Sequence, residues 1–214
     1  SIPGGGAAAD IGALVEQPAA PVLLLSSADT DLLAMDQLLE REPQLLRAEL
    51  RGLNLAALAH PAQIDHYLNF TVRHARLVVV RLLGGRGHWS YGLEQLQNWA
   101  GLAPGRQLLV LAGTADEEQV LAGLGTVDPE LAIGLARCLR EGGPANLRQL
   151  LRALQALLEG RSPAPPRAEP LADPLAHDWQ QEKGPRVGVI AYRALLQAGD
   201  LALMDATLLA LRRA

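Results

Sequence analysis

One stretch constrains this chain more than any other: Leu77 to Leu83 is apolar except for Arg81 and runs straight into Gly84, Gly85, Arg86 and Gly87. A run this short that ends on glycines reads as a strand covered on both faces, the kind that parallel sheets bury. His88, Trp89 and Tyr91 follow at once, in a chain whose aromatic residues are only 3% of the total. In an open α/β sheet, the loop beyond the carboxyl end of such a strand is where ligands are usually met.

Around this centre the pattern alternates. Pro21 opens a strand at Val22 to Leu25, and Asp29, Thr30 and Asp31 suit the capped start of a helix whose buried face carries Leu32, Met35, Leu38 and Leu39. A second strand is expected over Leu45 to Leu50. Pro61, at a first helical position, opens a helix with Ile64, Leu68, Thr71, Val72 and Ala75 on one face. Leu93, Leu96 and Ala100 mark a third helix, Gln107 to Leu111 a fourth strand, and Asp116, Glu117 and Glu118 an acidic helix start. Asp128 and Pro129 open the next helix as cap and first residue, and Leu147, Leu150, Leu151, Leu154, Leu157 and Leu158 form the clearest helical stripe of all.

Strands alternating with helices predict an α/β fold with a doubly wound, mostly parallel sheet, flavodoxin-like or Rossmann-like, in which Asp29, Asn54, Gly84 and Thr114 share one side. The expected organisation is a flexible lead-in over 1–20 with at most a short edge strand near Ala13 to Glu16, then an α/β domain over 21–159. A Pro-rich linker over 160–184 follows. Over 185–214 the expectation is either a fifth strand-helix unit or the start of a second α/β segment, with a strand at Arg186 to Ala191 and a helix carrying Leu201, Met204, Leu208 and Leu211.

Charge and cysteine content narrow the classes. A formal charge of −4 with acids and bases interspersed leaves no basic stripe for nucleic acid. A single cysteine, Cys138, excludes an internal disulfide and a thiolate cluster, and together with the lack of an apolar run long enough to cross a bilayer it points to a cytoplasmic protein that engages no membrane. Cys138 lies in an apolar helix beside Arg137 and reads as a small buried hydrophobe.

The candidate contact residues form two groups. Gly84 and Gly85, with His88, Trp89 and Tyr91, make the loop group; the motif is neither a Walker loop nor a GxGxxG fingerprint, so it is either a plain strand-to-helix turn or a ligand or partner contact. His66, Phe70 and His74 recur every fourth residue, and the two imidazoles would stand about 12 Å apart on one helix, too far to share a metal ion. They pack, or they face a flat macrocycle or another domain. Asp29 and Asp31 read as capping residues rather than as a catalytic pair, and His60 and His177 stand in loops. No catalytic residue and no metal ligand can be named.

Four blocks also carry a resemblance: SSADTD at Ser26 to Asp31, the segment from His60 to Ala75, RLVVVRLLGGRGHWSYG at Arg76 to Gly92, and EGGPANLRQLL at Glu141 to Leu151. In order and spacing they resemble the N-terminal part of the CobN family, the large subunits of aerobic, ATP-dependent cobaltochelatase and relatives of the magnesium chelatase H subunits. The resemblance implies a subunit that inserts Co(II) into hydrogenobyrinic acid a,c-diamide in cobalamin biosynthesis, while AAA+ ATPase and adaptor chelatase subunits hydrolyse ATP with Mg. It implies no cofactor within this stretch, whose part would be scaffold, tetrapyrrole wall or docking surface for those subunits and for the remainder of its own chain. The alternatives are a magnesium chelatase H-type subunit and a non-catalytic interaction module; a small nucleotide enzyme lacks its phosphate loop.

Overall fold

The computed structural model describes residues 13–171 and 187–213. Four strands, β1 (Val22–Ser26), β2 (Leu50–Asn54), β3 (Leu77–Leu82) and β4 (Gln107–Ala112), form one sheet in the order β2-β1-β3-β4, and every pairing is parallel. The fold class is therefore the expected one, a parallel α/β sheet with helices on both faces. Because successive side chains of a strand point to opposite faces, the apolar residues of β1, β3 and β4 divide into two cores. Val22, Leu24, Leu77, Val79, Leu109 and Leu111 face α1 (Asp29–Arg41), α5 (Pro129–Glu141) and α6 (Gly143–Leu158). Leu23, Leu25, Val78, Val80, Leu108 and Val110 face α2 (Pro61–Phe70) and α3 (Ser90–Gly101). Double coverage is why β3 reads as a continuous apolar run.

A short α4 (Glu118–Ala122) links β4 to α5. Asp128 caps α5 by accepting from Glu130 N at 3.0 Å, with Pro129 as the first helical residue, as the sequence predicts. α6 buries the predicted leucine stripe, Leu147, Leu150, Leu151, Leu154 and Leu157.

Several elements differ from expectation. The second strand begins where it was expected to end: Pro43 to Leu45 is a 3-10 turn, and Leu45 and Leu46 plug the core from it while Leu50 pairs with Val22. α2 stops at Phe70 because Thr71 turns inward and donates from Oγ1 to Gln17 O at 2.7 Å; Val72 to His74 is a separate 3-10 turn. Residues 13–20 form no strand, and Gln17 ties them down, donating to Gly52 O at 2.9 Å and accepting from the Tyr67 hydroxyl at 2.6 Å. At the other edge of the sheet a turn covers β4: Thr126 donates from its backbone to Leu108 O and accepts from Leu108 N on its hydroxyl, and Gly125 lies against the same carbonyl.

Beyond α6, residues 161–171 have no regular structure, yet their course is pinned. Asn146 donates to Glu169 O and accepts from Glu169 N, both at 2.8 Å, and Pro166 packs where a side chain on Gly134 would be. The strand expected at Arg186 to Ala191 is not formed in its described part: residues 187–191 are irregular, with Val187 and Ile190 exposed and no strand beside them to supply a ladder. Two helices follow, α7 (Arg193–Ala198), which packs on α1 and α6, and α8 (Ala202–Arg213), which buries none of its side chains.

Candidate functional site

The carboxyl ends of the four strands form one face. Asn54, the last residue of β2, donates to Asp29 Oδ1 at 2.6 Å, so two of the four predicted loop residues meet across it. Gly84 and Gly85 turn the chain out of β3 at φ of +112° and +75°, a region that side-chain-bearing residues rarely adopt. A side chain on Gly85 would also begin 3.1 Å from the Glu117 carboxylate, so the second glycine is held against the start of α4. The loop is thereby fixed, and Leu83, Gly84, Arg86, Gly87 and His88 are exposed along it.

The aromatic residues after the glycines do different work. Trp89 is buried and donates from Nε1 to Leu58 O at 3.0 Å, joining the loop to the 3-10 turn Leu55 to Leu58 beyond β2. Its ring lies so close to Gly92 that a methyl group there would fall 2.3 Å from Trp89 Cε2. Tyr91 is half-buried and donates from its hydroxyl to Asp65 Oδ1 at 2.7 Å; that hydrogen bond, with lesser help from desolvation and the nearby carboxylates, raises the phenol pKa above its usual value. Trp89 and Tyr91 thus hold α3 to its neighbours, and of the five loop-group residues the side chain at the surface is His88.

The second group splits. His66 and Phe70 stack on α2 with ring centroids 4.4 Å apart, and Phe70 is 63% exposed. His74 lies past the helix in the 3-10 turn, exposed, where its Nε2 accepts from Arg73 Nε at 2.8 Å. Because α2 runs back from the carboxyl end of β2 to the start of β3, Phe70 and His74 lie at the amino ends of the strands, the opposite end of the sheet from the glycine loop. The two predicted groups are therefore two surfaces. His60 opens α2, its backbone donating to Gln63 Oε1 at 3.1 Å; His177 lies outside the described residues.

Asp29 and Asp31 do not cap α1, whose N-cap is Ala28 without a side-chain bond. Asp31 instead turns under the sheet end. Arg81 Nη1 donates to Asp31 Oδ1 at 2.5 Å and Ser26 Oγ to Asp31 Oδ2 at 2.5 Å, with all three residues buried. A second charged cluster stands nearby: Glu118 accepts from Arg137 Nη2 at 2.9 Å and from Arg140 Nη2. Burial acts to raise the Glu118 pKa, but the hydrogen bonds from the two guanidiniums outweigh it and hold the carboxyl below its usual value. Neither cluster was picked out in the sequence. The available signal was Arg81 itself, a charge inside an otherwise apolar parallel strand, which has to find a partner. Among the described residues no three histidine, cysteine or carboxylate side chains are grouped to hold a metal ion, and no helix is long and apolar enough to cross a membrane.

No family model matches the chain. Two curated proteins do. The chain is 31% identical over 94% of its length to the aerobic cobaltochelatase subunit CobN of Pseudomonas aeruginosa. It is 33% identical over 96% of its length to the protein of the same name from a Sinorhizobium species. It spans 17% and 18% of the lengths of those relatives. Among solved structures it is similar to the catalytic subunit of cobaltochelatase from Mycobacterium tuberculosis, with a TM-score of 0.57 and 26% identity, over 89% of this chain and 15% of that one. Sequence and fold agree over almost the whole of the chain, and it belongs to the CobN family of cobaltochelatase subunits.

Proposed function

We propose that this chain is the N-terminal α/β part of the large subunit of an ATP-dependent cobaltochelatase, acting as scaffold and docking surface for the insertion of Co(II) into hydrogenobyrinic acid a,c-diamide. The observation that carries the reading is identity of 31% and 33% to two CobN proteins over 94% and 96% of the chain. In this reading the partners are AAA+ ATPase and adaptor chelatase subunits, the setting is cytoplasmic, and ATP is consumed on the partners. The geometry favours docking over chemistry. Trp89 and Tyr91 are spent on holding α3 in place, while His88, the His66–Phe70 stack and the exposed Leu203, Leu209 and Leu211 of α8 offer surfaces for other protein or for the macrocycle.

The test is a cobalt insertion assay with the full-length subunit and its partners, run with His88→Ala and with His66→Ala plus Phe70→Ala. In parallel, each variant is titrated spectroscopically with the metal-free corrin. Loss of activity with unchanged corrin binding supports docking; a weakened spectral shift supports a tetrapyrrole wall. Metallation of another macrocycle while corrins stay metal-free would overturn the reading.

A further inference from the structure

The amino ends of β3 and β4 carry a charge arrangement that differs from the rest of the fold. Arg51, Arg81, Arg137, Arg140, Arg148 and Arg161 each pair with a carboxylate. Arg73, Arg76 and Arg106 meet none among the described residues, and their hydrogen bonds go to neutral acceptors. Arg106 donates from Nη1 to Trp99 O at 2.9 Å and from Nη2 to Arg73 O at 3.1 Å, with its guanidinium carbon 5.2 Å from the centre of the Trp99 ring. Arg76 donates from Nη2 to Leu158 O at 2.8 Å, and Arg73 donates from Nε to His74 Nε2 at 2.8 Å.

Trp99 and Leu158 lie in the last turns of α3 and α6, so Arg106 and Arg76 stand at helix ends whose dipoles offset at most about half a charge each. Positive charge is left over, held in place by backbone, with Arg73, His74 and Arg76 exposed and Arg106 half-buried. Acids do not cancel it locally: between Asp65 and Asp116 the sequence holds Glu94 alone against Arg73, Arg76, Arg81, Arg86 and Arg106. Of the carboxylates that other elements bring to this end, Glu159 is engaged by Arg161 and Gln155, and Glu49 by Arg51. Asp128 caps α5, and Glu130, in the first turn of that helix, acts on Arg137. An apolar anchor stands beside the guanidiniums. Leu102 follows α3, donates from its backbone to the same Trp99 O, and leaves its side chain 79% exposed.

We propose that Arg73, Arg76, Arg106 and Leu102 form a docking surface for an acidic segment of a separate protein chain, one that sets carboxylates around a bulky apolar side chain. Arginines beside an apolar anchor are the make-up of protein interfaces, and guanidiniums already held by carbonyls lose little freedom on binding. Charge separates this partner from nucleic acid and from anionic membrane. Those extended polyanions face the whole of a chain that carries a formal charge of −4, whereas a short segment senses the charges within about 8–10 Å of it. The inference rests on the reading that this chain docks chelatase subunits, and it names the chemistry of one contact.

The experiment measures binding of the full-length subunit to its purified partner subunits over a range of salt concentrations. Affinity that falls with salt is expected, with at least a tenfold loss in Arg73→Glu and in Leu102→Asp. Both side chains are exposed, and equal melting temperatures check that the variants fold. Should Arg73→Glu fail to fold, Leu102→Asp decides the matter together with Arg73→Lys, which keeps the charge and gives carbodiimide an amine in a stretch whose one lysine is Lys183. A new amide cross-link from position 73 to an aspartate or glutamate of a partner subunit is expected. No assembly at all would overturn the chelatase reading and this inference with it. Assembly unchanged by the substitutions, or a cross-link confined to the subunit's own chain, would overturn this inference alone. So would tighter binding to duplex DNA or to phosphatidylserine vesicles that Arg73→Glu abolishes.

Discussion

Trp89 and Leu58, 31 residues apart, are joined by a 3.0 Å hydrogen bond from the indole nitrogen to a backbone carbonyl, and the bond is buried. The ring that follows the glycine loop is thus a pin between two strand-end turns. Trp89→Ala is expected to destabilise the fold by roughly 3–5 kcal/mol, as large aromatic truncations in cores do. Gly92→Ala, which forces a methyl into the same ring, is expected to cost about 1–3 kcal/mol. Urea denaturation of both variants measures this; unchanged midpoints would mean the indole does not carry the contact.

The buried Arg81–Asp31 pair makes a sharper comparison. Asp31→Ala strands a guanidinium in the core and is expected to cost about 3–5 kcal/mol, whereas replacing both partners by apolar residues, Arg81→Met with Asp31→Leu, is expected to come out near neutral. A double-mutant cycle reads the difference. Equal destabilisation by the single and the double variant would show that the pair is not buried as a unit.

Glu118 gives the fold a pH dependence of known sign. Its folded pKa lies below the unfolded value because Arg137 and Arg140 outweigh the effect of burial, so its stabilisation is complete above about pH 5 and is lost as pH falls through the folded pKa. The gap in denaturation midpoint between the protein and Glu118→Gln should therefore be widest near neutrality and close in acid. A gap independent of pH would count against the assignment.

Cys138 is buried, and desolvation, aided by the charge of Glu169, pushes its thiol up to about 11. Since the thiolate is the reactive form, the native protein should resist thiol reagents at pH 8 and become reactive only in denaturant. Rapid labelling under native conditions would contradict this.

At the surface, His88→Ala and Phe70→Ala should leave stability within about 0.5 kcal/mol, since exposed side chains rarely matter to folding. If they lower cobalt insertion in the assembled complex while folding normally, the loss is one of contact; a loss of stability equal to that of a core variant would show the side chains are not free.

The main architecture was legible because it is written in local periodicity. β3 and β4 are short continuous apolar runs and α5 and α6 carry a 3.6-residue period, and their limits agree with the structure within a residue or two. β2 was not, since Arg51 and Gly52 give an edge strand no apolar signature, while Leu45 and Leu46 do resemble one without forming it. The apolar string at 187–191 has the composition of a strand but no neighbour to pair with. At the site the glycine loop was readable from its φ-permissive residues. The partners of Trp89 and Tyr91 and the arginine partner of Asp31 were not, because each lies 26 to 50 residues away and no local rule connects them.

The two borders of the sheet have a consequence for assembly. Thr126 already occupies both backbone groups of Leu108 on β4, and Gln17 takes the Gly52 carbonyl on β2, so an incoming chain cannot simply zip onto either border. A contact with another chain would then have to be spelled in helix faces and loop side chains. Such an interface can be retuned one substitution at a time, and it gives stray extended peptides no template to copy.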